Sequence, residues 1–390
     1  MLRGAQLSIK SGFFTFEAAP KAVIDAVTEL QVTQQSGQRG GFQLHLTYGK
    51  GGQIERELLP GGFFSPATRF IFSLTIDGVS DVLMDGFVSR VDVSQSNQPG
   101  KSTLSITGSD ASQMMDQLDL TGLPMPAMPY MAQVAFILAR YTPLGVIPVI
   151  LPPITWSVDN PLRKYRAQQG TDYAHVMMLA RDVGYAFYVE PTPQEGVCTA
   201  YWGPDVAGFS PGGAIDGLEI QPALTVNMDQ ASNVESLNFN FDGLSKTLYY
   251  TIYRNSQSGV AVPIPIPDIA LNPPLGPEFL MYAKNKALSY TRSNDTPAGM
   301  AREDVAVLIS RGLGLAANSA NVVGASGALD VARYGRLLKP RRLVAVRGAG
   351  PHHDGHYYVR NVTTKLKRGE IKQTFSLTRN ALGSWSERVA

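Results

Sequence analysis

The stretch from Leu329 to Asn380, LDVARYGRLLKPRRLVAVRGAGPHHDGHYYVRNVTTKLKRGEIKQTFSLTRN, decides the fold. Apolar residues in it recur at every second position. Val344 and Val346 do so in RRLVAVRG, and Phe375 and Leu377 are set against Thr374 in IKQTFSLTRN. A period of two is the signature of a strand with one buried face. HYYVRNVTTKLKRG is a third such run, and the Gly/Pro-rich residues around PHHDG form the turn before it. The segment is also the most basic of the chain. Between Val331 and Lys372 eleven basic residues face only Asp354 and Glu370, a local +9 in a chain of net charge +2. Such an excess is either a solvated strand face or a face matched to an oppositely charged neighbour.

Upstream of this stretch the same alternation continues. SLNFNFDG places Leu237, Phe239 and Phe241 on one face, and KTLYYTIYRN does the same with Leu248, Tyr250 and Ile252. Asp242-Gly243 between them is a hairpin signal, so the two runs are expected to pair. Residues 259–277 hold six prolines, which lack a backbone donor, and are expected to form a long extended loop. A helix is expected over 297–316, capped by Thr296, with Ala301, Val305, Leu308 and Leu315 aligned. Its end, GLGLAANSANVVGAS, reads as a helix end and loop.

The first ~110 residues are also strands joined by turns. RFIFSLTIDG alternates from Phe70 to Ile76 and ends in an Asp-Gly turn, and MDGFVSRVDVSQ and KSTLSITG follow. The character changes at Asp110. A helical segment starts there, a second near Pro129, and a third at Thr171 or Asp172 with Val176, Met177, Ala180 and Val183 as its stripe. Tyr185, Phe187 and Val189 then alternate as a strand. The fold class is therefore mainly β with an α+β insertion: two antiparallel β-domains, tube-like barrels by their pattern, flanking a small mixed domain. The expected boundaries are 1–110, 111–215 and 216–390.

With 390 residues, the chain is long enough for two or three such domains. Hydrophobic residues are 44 % and charged residues 17 %, below the usual ~25 %, as expected of a surface much of which meets other subunits. Cys198 is the only cysteine, so no disulfide forms within the chain, which suits a reducing cytoplasm. MLRGAQLSIKSGFF lacks the apolar core of a signal peptide. The apolar region from Leu120 to Trp156 is broken by seven prolines and Arg140, which excludes a membrane helix there.

Few residues invite a chemical reading. His352, His353 and His356, with Asp354, are the only dense set of metal-ligand types, but their spacing follows no ligand motif and they sit in a turn. Glu190, Glu195, Asp205, Glu303 and Asp304 are carboxylates that could in principle pair for glycoside hydrolysis, yet nothing in the sequence brings two of them together. Glu303 and Asp304 are better explained as first-turn acids of a helix. Phosphate-binding and nucleophile motifs are absent from the sequence, and no catalytic, metal or cofactor site is assigned.

The opening stretch resembles the closing domain of the phage late control protein D family, the baseplate hub proteins of contractile tails and the hub half of VgrG-like spikes. The family's pattern falls on Tyr334, Gly335, Leu338, Pro340, Val344, Val346, Gly348, Gly350, Gly355, Tyr357, Tyr358, Val359, Val362, Gly369, Phe375, Leu377, Arg379 and Asn380. Thr363 or Thr364 stands where the family has a histidine, and Ile371 where it has a tyrosine. DGFVSRVDVSQSNQPGKSTLSITGSDASQMMD and TDYAHVMMLARDVGYAFYVEP resemble the family's first-barrel closing hairpin and insertion. The resemblance implies a homotrimer whose two barrels per subunit form a pseudo-six-fold ring between a hexameric tail tube protein and a trimeric spike protein, alongside other baseplate components. Nucleic acid or cargo would pass through the ring only as a passenger. The resemblance further implies assembly in the bacterial cytoplasm into a virion tail or injection particle, and a basic C-terminal face turned to the channel or an adjoining ring. The chain ends soon after its last strand, which predicts a spike on a separate polypeptide. The competing readings are a tail-associated cell-wall hydrolase and a cargo- or DNA-binding adaptor.

Overall fold

The alternating runs of the first region become seven strands: β1 (Ala5–Gly12), β2 (Glu17–Ala18), β3 (Val27–Gln35), β4 (Gly41–Tyr48), β5 (Arg69–Ile76), β6 (Val79–Ser94) and β7 (Ser102–Asp110). A one-and-a-half-turn helix, α1 (Lys21–Ala26), leads into β3. This computed structural model describes residues 5–66, 68–98, 102–126, 128–153, 167–205, 220–243, 246–254, 261–266, 274–278, 284–288, 309, 312–316 and 319–384. β4 and β7 alternate between buried and half-buried residues, the pattern of a sheet with one covered face. β5 departs from it, since Arg69 to Leu74 are buried without interruption. Both of its faces are covered, one by the main core and the other by the insertion. Phe70 and Phe72 belong to the main core, whereas Phe87 on the neighbouring β6 belongs to the insertion's core.

The insertion contains α2 (Tyr130–Ala139), β8 (Val146–Ile150), α3 (Asp172–Asp182), β9 (Tyr185–Pro191) and β10 (Cys198–Pro204). The segment entered at Asp110 is a short 3-10 turn over Ala111–Asp116, in which the Asp110 carboxylate accepts the amide of Ser112. Thr171 caps α3 by accepting the amide of Ala174. The three strands form their own sheet, in the order β8-β10-β9. Val134, Ile137 and Leu138 of α2 meet Val176, Leu179 and Ala180 of α3 over Phe187, Cys198 and Trp202. No helix among the described residues is long and apolar enough to cross a membrane.

The last region supplies β11 (Ile220–Thr225), β12 (Val234–Phe241), β13 (Thr247–Arg254), β14 (Ala261–Ile266), β15 (Lys284–Leu288), β16 (Val323–Asp330), β17 (Leu343–Arg347), β18 (Gly355–Lys367) and β19 (Glu370–Arg379), with the single turn α4 (Val331–Tyr334). The fold is mainly β, as its pattern predicts. Thirteen strands from both β regions belong to one sheet. Its order is β12-β16-β19-β18-β3-β4-β7-β6-β5-β1-β2, with β17 and β11 branching from β18. The join is the antiparallel pair β3–β18, with Leu30 opposite Leu366 and Thr33 opposite Thr363. A single apolar core runs across that join, from Leu30, Phe42 and Leu44 to Val362, Phe375 and Leu377.

Three sequence expectations for this region differ from the structure. β12 and β13 do not form a hairpin: β12 pairs with β16, while β13 pairs with β14 and β15 in a separate sheet. The chain passes Asp242-Gly243 without folding back, because the Asp242 amide continues the β12–β16 ladder onto the carbonyl of Val322. Within the proline-rich stretch of 259–277, Ala261–Ile266 is a strand rather than a loop. It lies at a sheet edge, where only one side of the backbone must donate, so proline is tolerated. Finally, the VVGAS run is not a loop but the start of β16, flanked by β12 and β19. The helix expected over 297–316 is described only at its end, where 312–316 are helical; Thr296, Pro297, Ala301, Glu303, Asp304, Val305 and Leu308 lie outside the described residues.

Candidate functional site: buried arginine joints

Among the largest fully buried side chains are three arginines, Arg69, Arg341 and Arg379. Burying an unpaired guanidinium is very costly, so each needs acceptors for its charge. The terminal nitrogens find them, while Nε of Arg341 and of Arg379 has no partner among the described residues. Arg69 opens β5 and meets Asp85 of β6 through a two-pronged pair, with Nε to Oδ1 at 2.5 Å and Nη2 to Oδ2 at 2.7 Å. Its remaining donors reach the carbonyls of Leu144 at 2.8 Å and Gly196 at 3.0 Å, both in the insertion. The rings of Phe16 and Phe87 lie 5.1 and 5.6 Å from its guanidinium carbon. Arg69 therefore ties the insertion to the first β region. Beside it, burial pushes the Cys198 thiol well up, with Asp85 adding to the effect, so this sulfur stays protonated and packs as a small apolar group.

Arg341 joins three regions. It donates to the Gln35 carbonyl of the first β region at 2.8 Å and to Glu190 of the insertion at 3.3 Å, and it lies 3.8 Å above the Tyr188 ring. Arg342 meets the other oxygen of Glu190, also at 3.3 Å. Arg341 holds a left-handed backbone with φ 64°, a strained conformation for a non-glycine residue. Next to it, Tyr358 donates to Asp205 at 2.8 Å, and Ser36 donates to the same carboxylate oxygen. β3, β10 and β18 thus converge on one carboxylate.

Arg379 is held by carbonyls alone: Asp354 at 3.0 Å, Leu275 at 3.0 Å, and Gly383. Asn380 accepts the Leu275 amide at 2.9 Å. A side chain at Gly355 would come within 2.7 Å of the Arg379 guanidinium, so only glycine leaves room for it. Tyr357, whose ring lies 5.2 Å from Arg379, donates its hydroxyl to the His353 carbonyl at 2.8 Å. Several positions singled out in the sequence meet here. The others are placed around the same core. Tyr334 donates to the Pro222 carbonyl at 2.7 Å, Gly335 closes α4, Pro340 is buried, and Gly348 lies against the Val226 carbonyl. Val359 and Phe375 are core residues.

Of the histidines of the PHHDGH turn, His353 and His356 are partly buried and His352 is exposed. The His353 ring stacks on Phe239 at 4.5 Å, and His356 faces Arg347 and Arg379, with burial and then those two charges lowering its pKa. Asp354 accepts the amide of Ala349, and His352 offers its carbonyl to Gly383. Among the described residues no three His, Cys, Asp or Glu side chains converge on one point. The insertion carboxylates are likewise engaged: Glu190 by two arginines, Glu195 by Lys10 at 2.6 Å, and Asp205 by two hydroxyls. Part of the basic excess is matched by carboxylates at the surface, with Lys365 and Lys367 on Glu29, Lys372 on Glu235 and Glu370, and Lys339 on Asp81, all four lysine side chains partly exposed. Sequence reasoning missed the Arg69–Asp85 pair. Its signal is a pair of opposite charges set inside the apolar runs RFIFSL and VLMDGFV on consecutive strands.

No family model matches the chain, and no curated protein does. Its fold is similar to that of solved tail proteins. It is similar to a tail protein from Neisseria meningitidis MC58, at 13 % identity and TM-score 0.59, with 97 % of this chain and 98 % of that one covered. The 43 kDa tail protein of prophage MuSo2 from Shewanella oneidensis is similar at the same identity and TM-score, covering 97 % and 99 %. An E. coli protein described as a type VI secretion system component with structural similarity to bacteriophage T4 tail proteins matches at 11 % identity and TM-score 0.53, covering 96 % and 76 %. At these identities the likeness is one of fold.

Proposed function

We infer that the chain is a structural hub protein of a contractile tail or injection machine, a trimeric adaptor between a hexameric tail tube and a trimeric spike that lines part of the central channel. The observation that carries this reading is the single thirteen-stranded sheet, built from two β regions of one chain and ending at two different edges, β12 and β1–β2. Two β regions per subunit and three subunits give six-fold-like repetition from a trimer. Open sheet edges are a natural place for copies to meet. The shared fold with tail proteins, along nearly the whole chain, supports the same class. The titratable groups support a scaffold rather than a catalyst: the insertion carboxylates and the buried arginines are bound to one another or to backbone. On this reading the partners are a spike protein, a tail tube protein and other baseplate components, with nucleic acid or cargo as passenger, and assembly occurs in the bacterial cytoplasm. The domain limits 1–110, 111–215 and 216–390 and the positions Tyr334, Gly335, Pro340, Gly348, Gly355, Tyr357, Tyr358, Val359, Phe375, Arg379 and Asn380 belong to the same proposal, as the frame of the second β region. Negative-stain imaging of the purified protein tests it. Rings with an opening the width of a tail tube are expected; a strictly monomeric particle, with and without a spike partner, overturns the reading.

A further inference from the structure

A cleft of about 680 Å³ opens where the β3–β4 turn, α3, the start of β9 and β18 come together. Its size falls within the roughly 300–1,000 Å³ of sites that take multi-atom organic ligands. Tyr173, Met177, Ala180 and Phe187 supply an aromatic and apolar lining. Arg39, Arg181 and Arg360 line the same space, against the single carboxylate of Asp205. The three arginines are not equivalent. Arg39 is already satisfied, donating to Ser112 and to Asp116 at 2.6 Å and lying 4.0 Å above the Tyr173 ring. Asp205 is held by Ser36 and Tyr358, both on its Oδ1. Arg181 and Arg360 have no acceptor for their side chains among the described residues.

A bulge brings Arg360 to the cleft. The β18–β19 ladder slips by one residue between Val359 and Asn361, leaving Arg360 as the extra residue of a bulge. The bulge sits where β18 leaves β17 as its neighbour and takes up β3. Its carbonyl accepts the Ser36 amide at 2.9 Å, which fixes the bulge against the β3–β4 turn. Bulges re-aim a side chain, and this one sends a cation into the cleft. Arg181 comes from the last turn of α3. Two unpaired guanidinium groups in a cleft with an apolar and aromatic lining match a chain that alternates carboxylates with apolar side chains, since guanidinium binds carboxylate with directed paired donors.

We propose that this cleft is a docking site for an acidic peptide segment of a partner protein, with Arg181 and Arg360 as its carboxylate-binding residues.

Fluorescence anisotropy with a labelled short peptide of alternating glutamate and leucine tests it, using the full chain. Saturable, salt-sensitive binding is expected, with the glutamine counterpart about tenfold weaker or more. The double variant Arg181→Gln/Arg360→Gln is expected to lose about tenfold in affinity at unchanged melting temperature, because neither side chain has a partner to lose. Arg333→Gln, on the exposed face of α4, is expected to bind as the parent does. Equal binding of the glutamine peptide, or a double variant that binds as well as the parent, overturns the proposal. Displacement of the peptide by a single-stranded oligonucleotide or by inorganic phosphate at lower concentration than by unlabelled acidic peptide also overturns it, since the site then reads phosphate. So does self-association of the parent that the double variant loses, since the cleft then seats a second copy.

Discussion

Arg69 and Asp85 show what a charged pair does inside a core. Each is almost completely withdrawn from water, so neither tolerates the loss of the other. Arg69→Ala leaves the Asp85 carboxylate and two insertion carbonyls without their donors, and is expected to destabilise the chain by about 3–5 kcal/mol. The double change Arg69→Met/Asp85→Leu removes both charges at similar volume, and is expected to recover most of that loss. Urea unfolding monitored by tryptophan fluorescence checks both, since Trp202 lies in the insertion's core. An Arg69→Ala variant as stable as the parent would show that the pair carries no net weight. His356 sets a second expectation at this scale. Its folded pKa is lowered from 6.5, by burial and by Arg379 and Arg347, so the folded state binds the proton more weakly than the unfolded state does. Its contribution is fully present above 6.5 and is lost as the pH falls through the lower folded value. His356→Gln is expected to flatten the acid side of the melting-temperature profile below pH 6.5. An unchanged slope would assign the acid sensitivity to other groups. Such pairs are hard to see in a sequence because they depend on which strands become neighbours. Arg69 and Asp85 stand sixteen residues apart and meet only because β5 and β6 form a hairpin. Arg341 and Gln35 are 306 positions apart, a separation no local pattern encodes.

Elements whose period is strong were legible, and those whose side chains are small were not. The caps at Asp110 and Thr171, the stripe of α3 and the alternation of β9, β17 and β19 lie close to where the sequence puts them, because local hydrogen bonding and one-sided burial act on neighbouring residues. The start of β16, in VVGAS, reads as a loop, because VGASGALD offers few large apolar residues. The reason lies in its neighbours. A side chain at Gly327 would come within 2.7 Å of the Phe375 ring and would also meet the Ser236 carbonyl, and one at Gly324 would meet Asn240. A strand flanked closely by β12 and β19 leaves no space for larger residues, and the absence of a hydrophobic pattern is itself the mark of tight packing. Gly327→Val is therefore expected to cost about 1–3 kcal/mol despite the higher strand propensity of valine. Thermal unfolding of this variant beside a valine substitution at exposed Ser89 checks the point. Equal melting temperatures for the two would mean that β16 is loosely held. The missing β12–β13 hairpin has the same kind of cause: a period of two says that a strand exists and which face is buried, but not which strand lies beside it.

At the scale of the whole molecule, the β3–β18 join makes one sheet out of two distant parts of the chain, and the arginine joints fasten the insertion to it. The sheet then has two dissimilar ends. One is β12, which carries Phe241 with 51 % of its surface exposed; the other is the β1–β2 connection, which carries Phe14 with 69 % exposed. A contact between one end of a copy and the other end of the next is head-to-tail, and it closes into a ring only when the rotation per copy divides the circle. A trimer closes at a third of a turn, which leaves every such edge covered and no end free to grow. An exposed phenylalanine at an uncovered sheet edge favours association, and a lysine there opposes it. On the proposed trimeric ring, Phe14→Lys and Phe241→Lys are accordingly expected to shift the assembly toward monomer in light scattering. Their far-ultraviolet circular dichroism should match the parent, since neither ring belongs to the buried core. If the contact is heterologous, mixing the two variants restores at most one sound contact per pair of copies and cannot rebuild a closed ring. If each edge instead met its own kind, as in a two-fold dimer, each variant would still dimerise through its intact edge, and that outcome would remove the ring from the proposal.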